Sequence, residues 1–387
     1  MSVENPASAL EVSQALIRCP SVTPEEGGAL DLMETLLKPL GFECQRLPFD
    51  CANTYGVDNL YARRGTSGPV FGYGGHTDVV PVGDLQAWTV DPFGGAVVDG
   101  KLIGRGAVDM KGSIGAYVAA LTRFLNAPQN KNFDGSLSLI ITGDEEGIGQ
   151  NGTKKVLEWM ADKGETMDVC LIGEPTSNDV LGDMVKIGRR GSMNFSLSVR
   201  GIQGHTAYPQ LASNPIHPLV TMLHNLLEEP LDSGTEHFPP SSLQLTTIDV
   251  GNTTTNVIPA DAKAHFNVRF SDLYSSEQVE AWVRERLHRA DFEYDLQIRV
   301  SGESFLCPPG PLSGLISQSI EKITGIKAEL GTSGGTSDAR FIKDYATVAE
   351  FGLLNDTAHK VDEHCSVQEL EDLSRIYESM LKGYFKV

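Results

Sequence analysis

The hydrophobic pattern of this 387-residue chain changes near residue 190, and that change limits the folds that the chain can adopt. Before this point, continuous apolar runs such as SLSLIIT (136–142) and DVCLIGE (168–174) alternate with helical segments. Strands of this kind are typical of sheets covered by helices on both faces. We therefore predict an α/β domain, in which a helix over residues 113–125 begins at the N-cap Ser113.

After residue 190 the strands alternate apolar and polar residues, which is typical of an antiparallel sheet with one face in solvent. Four such strands and two helices follow in the order β-α-β-β-α-β, which predicts a ferredoxin-like α+β domain. The segments are SMNFSLSVRG (192–201), NPIHPLVTMLHNLLEE (214–229), SSLQLTTIDVG (241–251), AKAHFNVRFS (262–271), SSEQVEAWVRERLHRA (275–290) and FEYDLQIRVSG (292–302). The second helix opens with a possible capping box between Ser275 and Gln278.

The pattern of the first half returns near the C-terminus, at KAEL (327–330), ATVAEFG (346–352) and a last helix (366–383). A chain of this length is too long for one hydrophobic core, since single cores stop growing at roughly 250–300 residues. We therefore predict a discontinuous larger domain, residues 1–188 and 302–387, with a mixed and mainly parallel sheet. The small domain, residues 189–301, is inserted into it.

Charge and composition exclude several classes of partner. The formal net charge of −20 argues against nucleic acid or an anionic membrane surface as the main partner. No apolar run approaches the ~18 residues of a membrane span, and no signal peptide is readable. The six cysteines are scattered without a C-x-x-C pair, which favours free thiols in a reducing cytosol. We therefore expect a cytoplasmic protein that binds neither nucleic acid nor membrane.

Five segments of the predicted larger domain place acids or histidines after an apolar strand. They are YGGHTD with His76 and Asp78, GRGAVDMKG with Asp109, ITGDEE with Glu145 and Glu146, LIGEPT with Glu174, and DTAHKVDEH with His359 and His364. In an open α/β sheet such residues can converge at the carboxyl ends of the strands. This mixture of ligands suits Zn²⁺, Co²⁺ or Mn²⁺. Two ions ~3.5–4 Å apart, bridged by one carboxylate, would use all the acids. A solvated acidic loop after the strand is the alternative for the run of three acids.

The segments GHTDVVPVGD, GRGAVDMKG, DEE, GEPT and HKVDE, in this order and spacing, resemble those of the dizinc amidohydrolases and peptidases that include aminoacylase and acetylornithine deacetylase. The resemblance implies a zinc-peptidase-like catalytic domain with two zinc ions in each subunit. His76 and Glu174 would hold one ion, Glu146 and His359 the other, and Asp109 would bridge them. Co²⁺ is possible in the second site. The ions would lower the pKa of a shared water and polarise the scissile amide carbonyl.

The resemblance also implies roles for residues beside the metal ligands. Glu145 would be the general acid/base, and Asp78 would accept the second ring proton of His76. His205 would stabilise the oxyanion by reaching into the active site of the other subunit of a homodimer formed through the inserted domain. In this family the peptide bond after the bridging aspartate, here Asp109–Met110, is commonly cis.

Further segments, including GRRGS (188–192) and GGTSDARF (334–341), match family members that hydrolyse N-succinyl-L,L-2,6-diaminopimelate. That substrate carries three carboxylates and one free amine, so the resemblance implies that arginine side chains and polar loops bind it. The candidate substrate-binding residues are Arg189, Arg190, Tyr208, Asn256, Arg269, Ser301, Gly335 and Thr336. These family members often have a second asparagine where this chain has Thr255, so a contact from that position stays open.

Three alternatives remain open. GTSGG (331–335) fits the G-x-S-x-G pattern, so a serine hydrolase with Ser333 as nucleophile, followed by Asp356 and His359, is a coherent rival. A metal-binding protein without catalysis would explain the ligands but not the presence of Glu145 beside them. Sister enzymes, such as acetylornithine deacetylase or a di- or tripeptidase, would share the metal ligands and differ in the substrate loops.

Overall fold

The computed structural model describes residues 8–131 and 133–387, and the chain divides into two compact units. Residues 1–7, with which the predicted larger domain begins, lie outside the described residues. The predicted small domain ends at residue 301, whereas unit 2 continues to Leu306 and also takes in the short segment Thr332–Thr336. The ranges are Met1–Ile187, Cys307–Gly331 and Ser337–Val387 for unit 1, and Gly188–Leu306 and Thr332–Thr336 for unit 2.

The helices predicted over residues 113–125, 214–229, 275–290 and 366–383 are present among the described residues, and further helices lie beside them. In chain order, the helices are α1 (Ala9–Ile17), α2 (Ala29–Leu37), α3 (Lys111–Asn126), α4 (Thr153–Lys163), α5 (Ile216–Leu227), α6 (Ser276–His288), α7 (Pro311–Thr324), α8 (Ala339–Ile342) and α9 (Val367–Phe385). The predicted capping box of Ser275 and Gln278 is present at the start of α6. The predicted N-cap of α3 at Ser113 is wrong. That helix begins at Lys111, whose backbone N–H donates to the carbonyl of Gly106 at 2.9 Å, so it needs no polar cap there.

The strands form one large sheet in each unit and several short ladders. They are β1 (Glu43–Arg46), β2 (Leu60–Arg64), β3 (Val70–His76), β4 (Ala96–Val98), β5 (Lys101–Ile103), β6 (Ser136–Thr142), β7 (Val169–Ile172), β8 (Met184–Lys186), β9 (Gly188–Arg189), β10 (Gly191–Arg200), β11 (Gly204–His205), β12 (Ser242–Asp249), β13 (Val257–Ile258), β14 (Asp261–Phe270), β15 (Asp295–Gly302), β16 (Phe305–Leu306), β17 (Glu329–Gly331), β18 (Thr347–Glu350) and β19 (His364–Ser366).

Unit 1 is built on an eight-stranded mixed sheet in the order β1-β2-β6-β3-β7-β18-β8-β17. Its central strands β6, β3, β7 and β18 run parallel, which confirms the predicted α/β class. Every residue of β6 is buried, as its continuous apolar pattern indicates. Because these neighbouring strands are parallel, the carboxyl ends of β3, β6 and β7 meet at one edge of the sheet.

Unit 2 contains a four-stranded antiparallel sheet in the order β12-β14-β10-β15. Together with α5 and α6 it has the predicted β-α-β-β-α-β order, which confirms a ferredoxin-like arrangement. Alternate residues of β10 and β14 are buried, and the paired Phe195 and Phe266 stack with their ring centroids 4.7 Å apart. Leu219 of α5 and Val283 of α6 belong to the same core. A role of this unit in dimerisation stays a prediction.

The long segment of unit 2, Gly188–Leu306, begins and ends with two short paired strands. Arg189 of β9 lies opposite Phe305 of β16, and Gly188 lies opposite Leu306. The two ends of the inserted segment are therefore held side by side.

Two sequence expectations concern the chain as a whole. All six cysteines are free thiols, as predicted. Among the described residues, no helix combines the length and the apolar character that crossing a bilayer requires.

Candidate metal centre

His76 is the last residue of β3 and brings the first predicted ligand to the carboxyl edge of the unit 1 sheet. Its Nδ1 lies 2.9 Å from the backbone oxygen of Asp78, which can only accept a hydrogen bond. Nδ1 therefore carries a proton. The other ring nitrogen, Nε2, points toward Asp109 Oδ1 at 3.1 Å and Glu174 Oε1 at 3.7 Å. A neutral imidazole would present a lone pair to these carboxylates, so the arrangement needs positive charge, either a second proton on the ring or a cation between the groups.

Asp109 faces two histidines, one with each oxygen of its carboxylate. Oδ1 is 3.1 Å from His76 Nε2, and Oδ2 is 3.1 Å from His359 Nε2. His359 Nε2 also lies 2.8 Å from Oε1 of Glu146. The carboxylate of Asp109 thus joins two sets of predicted ligands, which is the geometry expected of a ligand shared between two cations.

Four of the five predicted ligands and Glu145 form two overlapping groups. His76, Asp109 and Glu146 make one group, and His76, Glu145 and Glu174 make the other; within each, the ligand atoms lie within 4.8 Å of one another. Burial raises the pKa of the Glu145 carboxyl well above its usual range, and the neighbouring charge of Glu174 adds to this effect. So many carboxylates within a few ångströms repel one another unless positive charge lies among them.

The two histidines experience the same excess of negative charge. Burial opposes the charged form of His76, but the surrounding carboxylates, Asp109 foremost, raise its pKa well above the ordinary value. Hydrogen bonds to Asp109 and Glu146 raise the pKa of His359 to about 10. Divalent cations would bind these nitrogen and oxygen atoms at neutral pH. Imidazole nitrogen and carboxylate oxygen are ligands that Zn²⁺ and Co²⁺ bind. The residues therefore fit a pair of metal ions.

Asp144 is the first of the three consecutive acids after β6, and it is buried rather than solvated. Its Oδ1 accepts a hydrogen bond from the hydroxyl of Tyr55 at 2.7 Å, and its Oδ2 accepts one from the backbone N–H of Asn151 at 3.0 Å. Asp144 therefore shapes the turn, while the next two acids face the centre. The alternative of a solvated acidic loop does not hold for this segment.

The carboxylate of Asp78 holds the same turn from the other side. It accepts hydrogen bonds from Thr23 Oγ1 at 2.8 Å and from the backbone N–H groups of Glu145 at 3.3 Å and Glu146 at 3.1 Å. The resemblance implied that this carboxylate accepts the ring proton of His76, but its nearest oxygen is 3.6 Å from Nδ1. The backbone carbonyl of Asp78 accepts that proton instead, because the carboxylate is turned toward three other donors.

Glu174 follows β7 after a single glycine, and that glycine lets the strand end approach the core closely. A Cβ atom on Gly173 would lie 2.1 Å from the hydroxyl oxygen of Tyr73 and 2.8 Å from Cε of Met110. No side chain fits there, so the position of Glu174 depends on this glycine. The peptide bond Asp109–Met110 is cis, as the resemblance implies.

Two buried charged residues that received no role in the sequence analysis also support the centre. Arg105 and Glu363 form an ion pair with an Nη1–Oε2 distance of 2.7 Å. The pair contacts the backbone of both Asp109 and His359. Arg105 lies within GRGAVDMKG and Glu363 within HKVDE, and membership of those segments was the only sequence signal that could have indicated them.

The remaining histidine and serine candidates are not brought to the centre in the same way. His364 lies in β19, where its Nε2 is 3.1 Å from Nζ of Lys101. The serine hydrolase alternative needs the ring of His359 as a base for Ser333, but Nε2 of that ring faces the carboxylates of Glu146 and Asp109. This geometry favours a metal centre over a catalytic serine.

Within unit 2, two predicted substrate-binding arginines lie close together. Burial lowers the pKa of both Arg190 and Arg269, and the charge of Arg269 lowers that of Arg190 further. Arg269 donates from Nε to Oδ1 of Asn267 at 3.0 Å. In the part of the chain that the structure describes, no acid forms an ion pair with either guanidinium. Two half-buried cations without an anion are suited to binding the carboxylates of a ligand.

The other predicted residues of unit 2 lie in its loops and strand ends. Arg189 donates from Nη1 to the backbone oxygen of Gly335 at 3.1 Å, which ties the Thr332–Thr336 segment to β9. Ser301 Oγ accepts a hydrogen bond from Nδ2 of Asn194 at 3.0 Å. Three further candidates are exposed or half-buried in loops: Tyr208, Asn256 and Thr336.

His205 is exposed at the end of β11, and its tautomer is defined by one contact. Nδ1 accepts a hydrogen bond from the backbone N–H of Ala207 at 3.0 Å, so the hydrogen of the neutral ring is on Nε2. The ring packs edge-on against Tyr208 with centroids 5.5 Å apart. His205 therefore presents an N–H donor on the surface of unit 2.

Comparison with known proteins identifies relatives along nearly the whole chain. Residues 72–383 match the peptidase family M20/M25/M40. A protein of Rhodospirillum centenum named succinyl-diaminopimelate desuccinylase is 54% identical over 376 residues, which is 97% of each chain. A protein of Parvibaculum lavamentivorans with the same name is 52% identical, covering 99% of this chain and 97% of that one.

Solved structures share the fold at much lower identity. The metallo-carboxypeptidase Sso-CP2 of Sulfolobus solfataricus, of family M20, superposes with a TM-score of 0.78 at 17% identity, covering 98% of this chain and 99% of that one. The YXEP protein of Bacillus subtilis, described as a dinuclear metal-binding peptidase of the same family, superposes with a TM-score of 0.71 at 15% identity, covering 98% of each chain. These likenesses confirm the fold.

Proposed function

This chain belongs to the peptidase family M20/M25/M40, and from that membership we propose that it hydrolyses the amide bond of N-succinyl-L,L-2,6-diaminopimelate. The products are succinate and L,L-2,6-diaminopimelate, and the reaction belongs to the biosynthesis of diaminopimelate and lysine. The relatives that share half or more of its residues carry the name of this activity. The observation on which the proposal rests is the carboxylate of Asp109, which faces His76 with one oxygen and His359 with the other.

The proposed centre holds two Zn²⁺ ions in each subunit, and Co²⁺ is an alternative in the second position. His76 and Glu174 would bind one ion, Glu146 and His359 the other, and Asp109 both. Bound there, the ions supply a polarised substrate carbonyl and a water of lowered pKa. The hydrogen bond from His76 Nδ1 to the backbone oxygen of Asp78 keeps Nε2 free for this task.

Glu145 moves the proton in this proposal. Its carboxylate takes a proton from the attacking water and returns it to the nitrogen of the leaving amine. Two observations support this role: Glu145 lies in the same group as His76 and Glu174, and its backbone N–H donates to Asp78 Oδ1 at 3.3 Å. That hydrogen bond restrains the backbone from which the Glu145 side chain extends. Glu146, one residue further on, faces Asp109 and His359.

In this proposal, His205 reaches into the active site of the other subunit and donates a hydrogen bond to the developing oxyanion there. Its Nε2–H supports this role, because an oxyanion needs a donor and the Ala207 contact leaves Nε2 as the donor of the neutral ring. The proposal therefore includes a homodimer formed through unit 2. Ile202, Tyr208 and Leu211, near His205 in sequence, are 63%, 56% and 73% exposed, which is consistent with a surface that another subunit covers.

The carboxylates of the substrate are bound by arginines and loop groups of unit 2 in this proposal. Arg190 and Arg269 support it because they are half-buried cations without an acidic partner among the described residues. Arg189, Ser301, Asn256, Tyr208, Gly335 and Thr336 complete the proposed set. Free thiols at all six cysteines support a reducing compartment, and we assign the reaction to the cytoplasm.

The test is a substrate panel on protein stripped of metal and reloaded with Zn²⁺. The panel contains N-succinyl-L,L-2,6-diaminopimelate, N-acetylornithine and a set of di- and tripeptides. We expect kcat/KM to be highest for the succinyl substrate, to vanish after chelation and to return with Zn²⁺. A large preference for N-acetylornithine or a peptide would overturn the substrate assignment. Activity that survives chelation and is lost to a serine-directed reagent would overturn the metal mechanism.

A further inference from the structure

We propose that the buried ion pair of Arg105 and Glu363 is a positioning device that sets the distance between the ligand atoms of Asp109 and His359. This inference rests on the proposed metal centre and assigns to it two residues that bind no metal themselves. Their side chains are 3% and 1% exposed, so water does not compete for their hydrogen bonds. Each member of the pair contacts the backbone of one of the two ligands.

Glu363 holds the backbone on the Asp109 side. Its Oε1 accepts hydrogen bonds from two successive backbone N–H groups, those of Val108 at 2.9 Å and Asp109 at 3.1 Å. Its own backbone oxygen accepts from the N–H of Gly104 at 2.9 Å. The carboxylate thus restrains the peptide that carries the shared ligand. Only an acceptor with two lone pairs on one oxygen can hold both N–H groups at once.

Arg105 holds the backbone on the His359 side. Nη1 donates to the carbonyl of Lys360 at 3.2 Å, and Nη2 donates to those of His359 at 3.4 Å and Pro81 at 3.3 Å. His359 has a φ of 63°, a left-handed conformation that is unfavourable for residues with a side chain. The contacts to two successive carbonyls hold this conformation, and with it the direction of the imidazole.

The two halves are joined by the ion pair and by an aromatic ring. Nη1 of Arg105 lies 2.7 Å from Oε2 of Glu363, and the guanidinium stands 5.3 Å from the centroid of the Trp88 ring. Trp88 is itself fixed by a hydrogen bond from Nε1 to the carbonyl of Val82 at 2.9 Å. The Trp88 ring and the ion pair together restrict the orientation of the Arg105 guanidinium. A movement of the backbone at Asp109 is therefore transmitted to the backbone at His359, and the reverse. A buried ion pair adds little net stability, which makes geometry its clearest contribution.

The test compares metal binding with folding stability in matched variants. Arg105→Lys keeps the charge but loses the planar guanidinium that reaches three carbonyls. Glu363→Gln keeps an acceptor but not the charge. The control is Glu378→Gln, which disrupts the ion pair of Arg123 and Glu378, with an Nε–Oε2 distance of 2.7 Å, between α3 and α9. Each protein is stripped of metal and titrated with Co²⁺ and with Zn²⁺. The melting temperature of the metal-free form is measured in parallel.

We expect Arg105→Lys to weaken one of the two binding steps by about 10–100-fold, the size typical of residues that orient metal ligands, and to leave the other within about threefold. Glu363→Gln should weaken both steps, because Asp109 is shared. The control should match the wild type in both steps. The double variant should lose no more metal affinity than the single variant with the lower affinity, because the two residues act as a unit.

Two results would overturn the inference. One is wild-type affinity at both steps in Arg105→Lys and in Glu363→Gln. The other is a fall in the melting temperature of the metal-free variants, beyond that of the control, with unchanged metal affinities, because the pair would then only stabilise the fold. The proposed function fails separately: a wild-type protein that binds fewer than two ions would overturn the metal centre, and this inference with it.

Discussion

The backbone N–H of Glu146 donates to Oδ2 of Asp78 at 3.1 Å. This hydrogen bond joins the end of β3 to the turn after β6, because Asp78 follows the strand that ends at His76. One carboxylate therefore determines where two proposed ligands stand relative to each other. It does so through the backbone, while the ring of His76 is held by the carbonyl of the same residue.

Replacing Asp78 should disturb the turn after β6 that carries Glu145 and Glu146. Asp78→Ala leaves three donors without their acceptor, namely Thr23 Oγ1 and the N–H groups of Glu145 and Glu146. We expect kcat to fall by about 10–100-fold, as for other residues that orient metal ligands, with a smaller change in KM. Thr23→Val is the control, since it removes only one of the three donors and should cost much less. Equal losses in the two variants would show that the backbone contacts are unimportant.

The two adjacent glutamates should give different phenotypes. Glu145→Gln should retain both metal ions and lose about 10²–10⁴-fold in kcat, since the general base is removed. Glu146→Gln should bind one ion more weakly, because its Oε1 is the atom that faces His359. Metal analysis by mass spectrometry and steady-state kinetics of both variants provide the measurement. Loss of a metal ion from Glu145→Gln would contradict the proposed division of roles.

The arginine pair of unit 2 should act on substrate binding. Arg269→Ala removes a half-buried cation, and we expect KM for the succinyl substrate to rise by about 10–100-fold, because a charged hydrogen bond contributes roughly 1.5–3 kcal/mol. Metal content should not change. Arg200→Ala, an exposed arginine at the end of β10 in the same sheet, is the matched control and should leave KM unchanged. A similar rise in KM for both variants would indicate a general effect of charge.

Asp232 should stabilise unit 2 in a pH-dependent way. Burial raises its pKa, but hydrogen bonds from the side chain and N–H of Ser241, the N–H of Gly234 and the hydroxyl of Ser271 outweigh this and lower it. Asp232→Asn should therefore reduce the free energy of unfolding by about 1–3 kcal/mol at pH 7.

The sign of the pH effect follows from the lowered pKa of Asp232. The stabilisation is complete above the pKa of an unfolded aspartate, about 3.9, and is lost as the pH falls through the lower folded value. Urea unfolding followed by circular dichroism at several pH values measures the difference between wild type and variant. A difference that is as large below pH ~3 as it is at pH 7 would contradict a role for the ionised carboxylate.

Three of the proposed metal ligands follow strands that have a readable apolar pattern. Asp109 and His359 do not: Asp109 lies just before the start of α3, and His359 lies in the loop between β18 and β19. His76, Glu146 and Glu174 lie at the ends of β3, β6 and β7, and parallel pairing alone brings those ends together. Spacing cannot specify side-chain direction. The carboxylate of Asp78 was therefore assigned to the ring of His76, whereas it faces the backbone of the next strand's turn.

The residues that sequence reasoning missed act through backbone groups. Arg105 and Glu363 hold peptides in loops, where no periodicity marks a contact. Their contacts to His359 and Asp109 join residues that are 254 positions apart in the chain. The start of α3 was wrong for a related reason. The N–H of Lys111 is satisfied by the carbonyl of Gly106, a contact between backbone groups that no pattern of side chains reveals.

The pairing of β9 with β16 brings the two ends of the segment Gly188–Leu306 side by side, so this segment joins the rest of the chain as a loop does. The segment between those strands can be replaced as a whole, because a replacement needs only to have its two chain ends next to each other. The arginines proposed to bind the substrate can thus change while the proposed metal ligands, all outside this segment, stay the same. We expect chimeras spliced at Gly188 and Leu306 to shift substrate preference toward that of the donor and to keep the proposed metal ligands of the host.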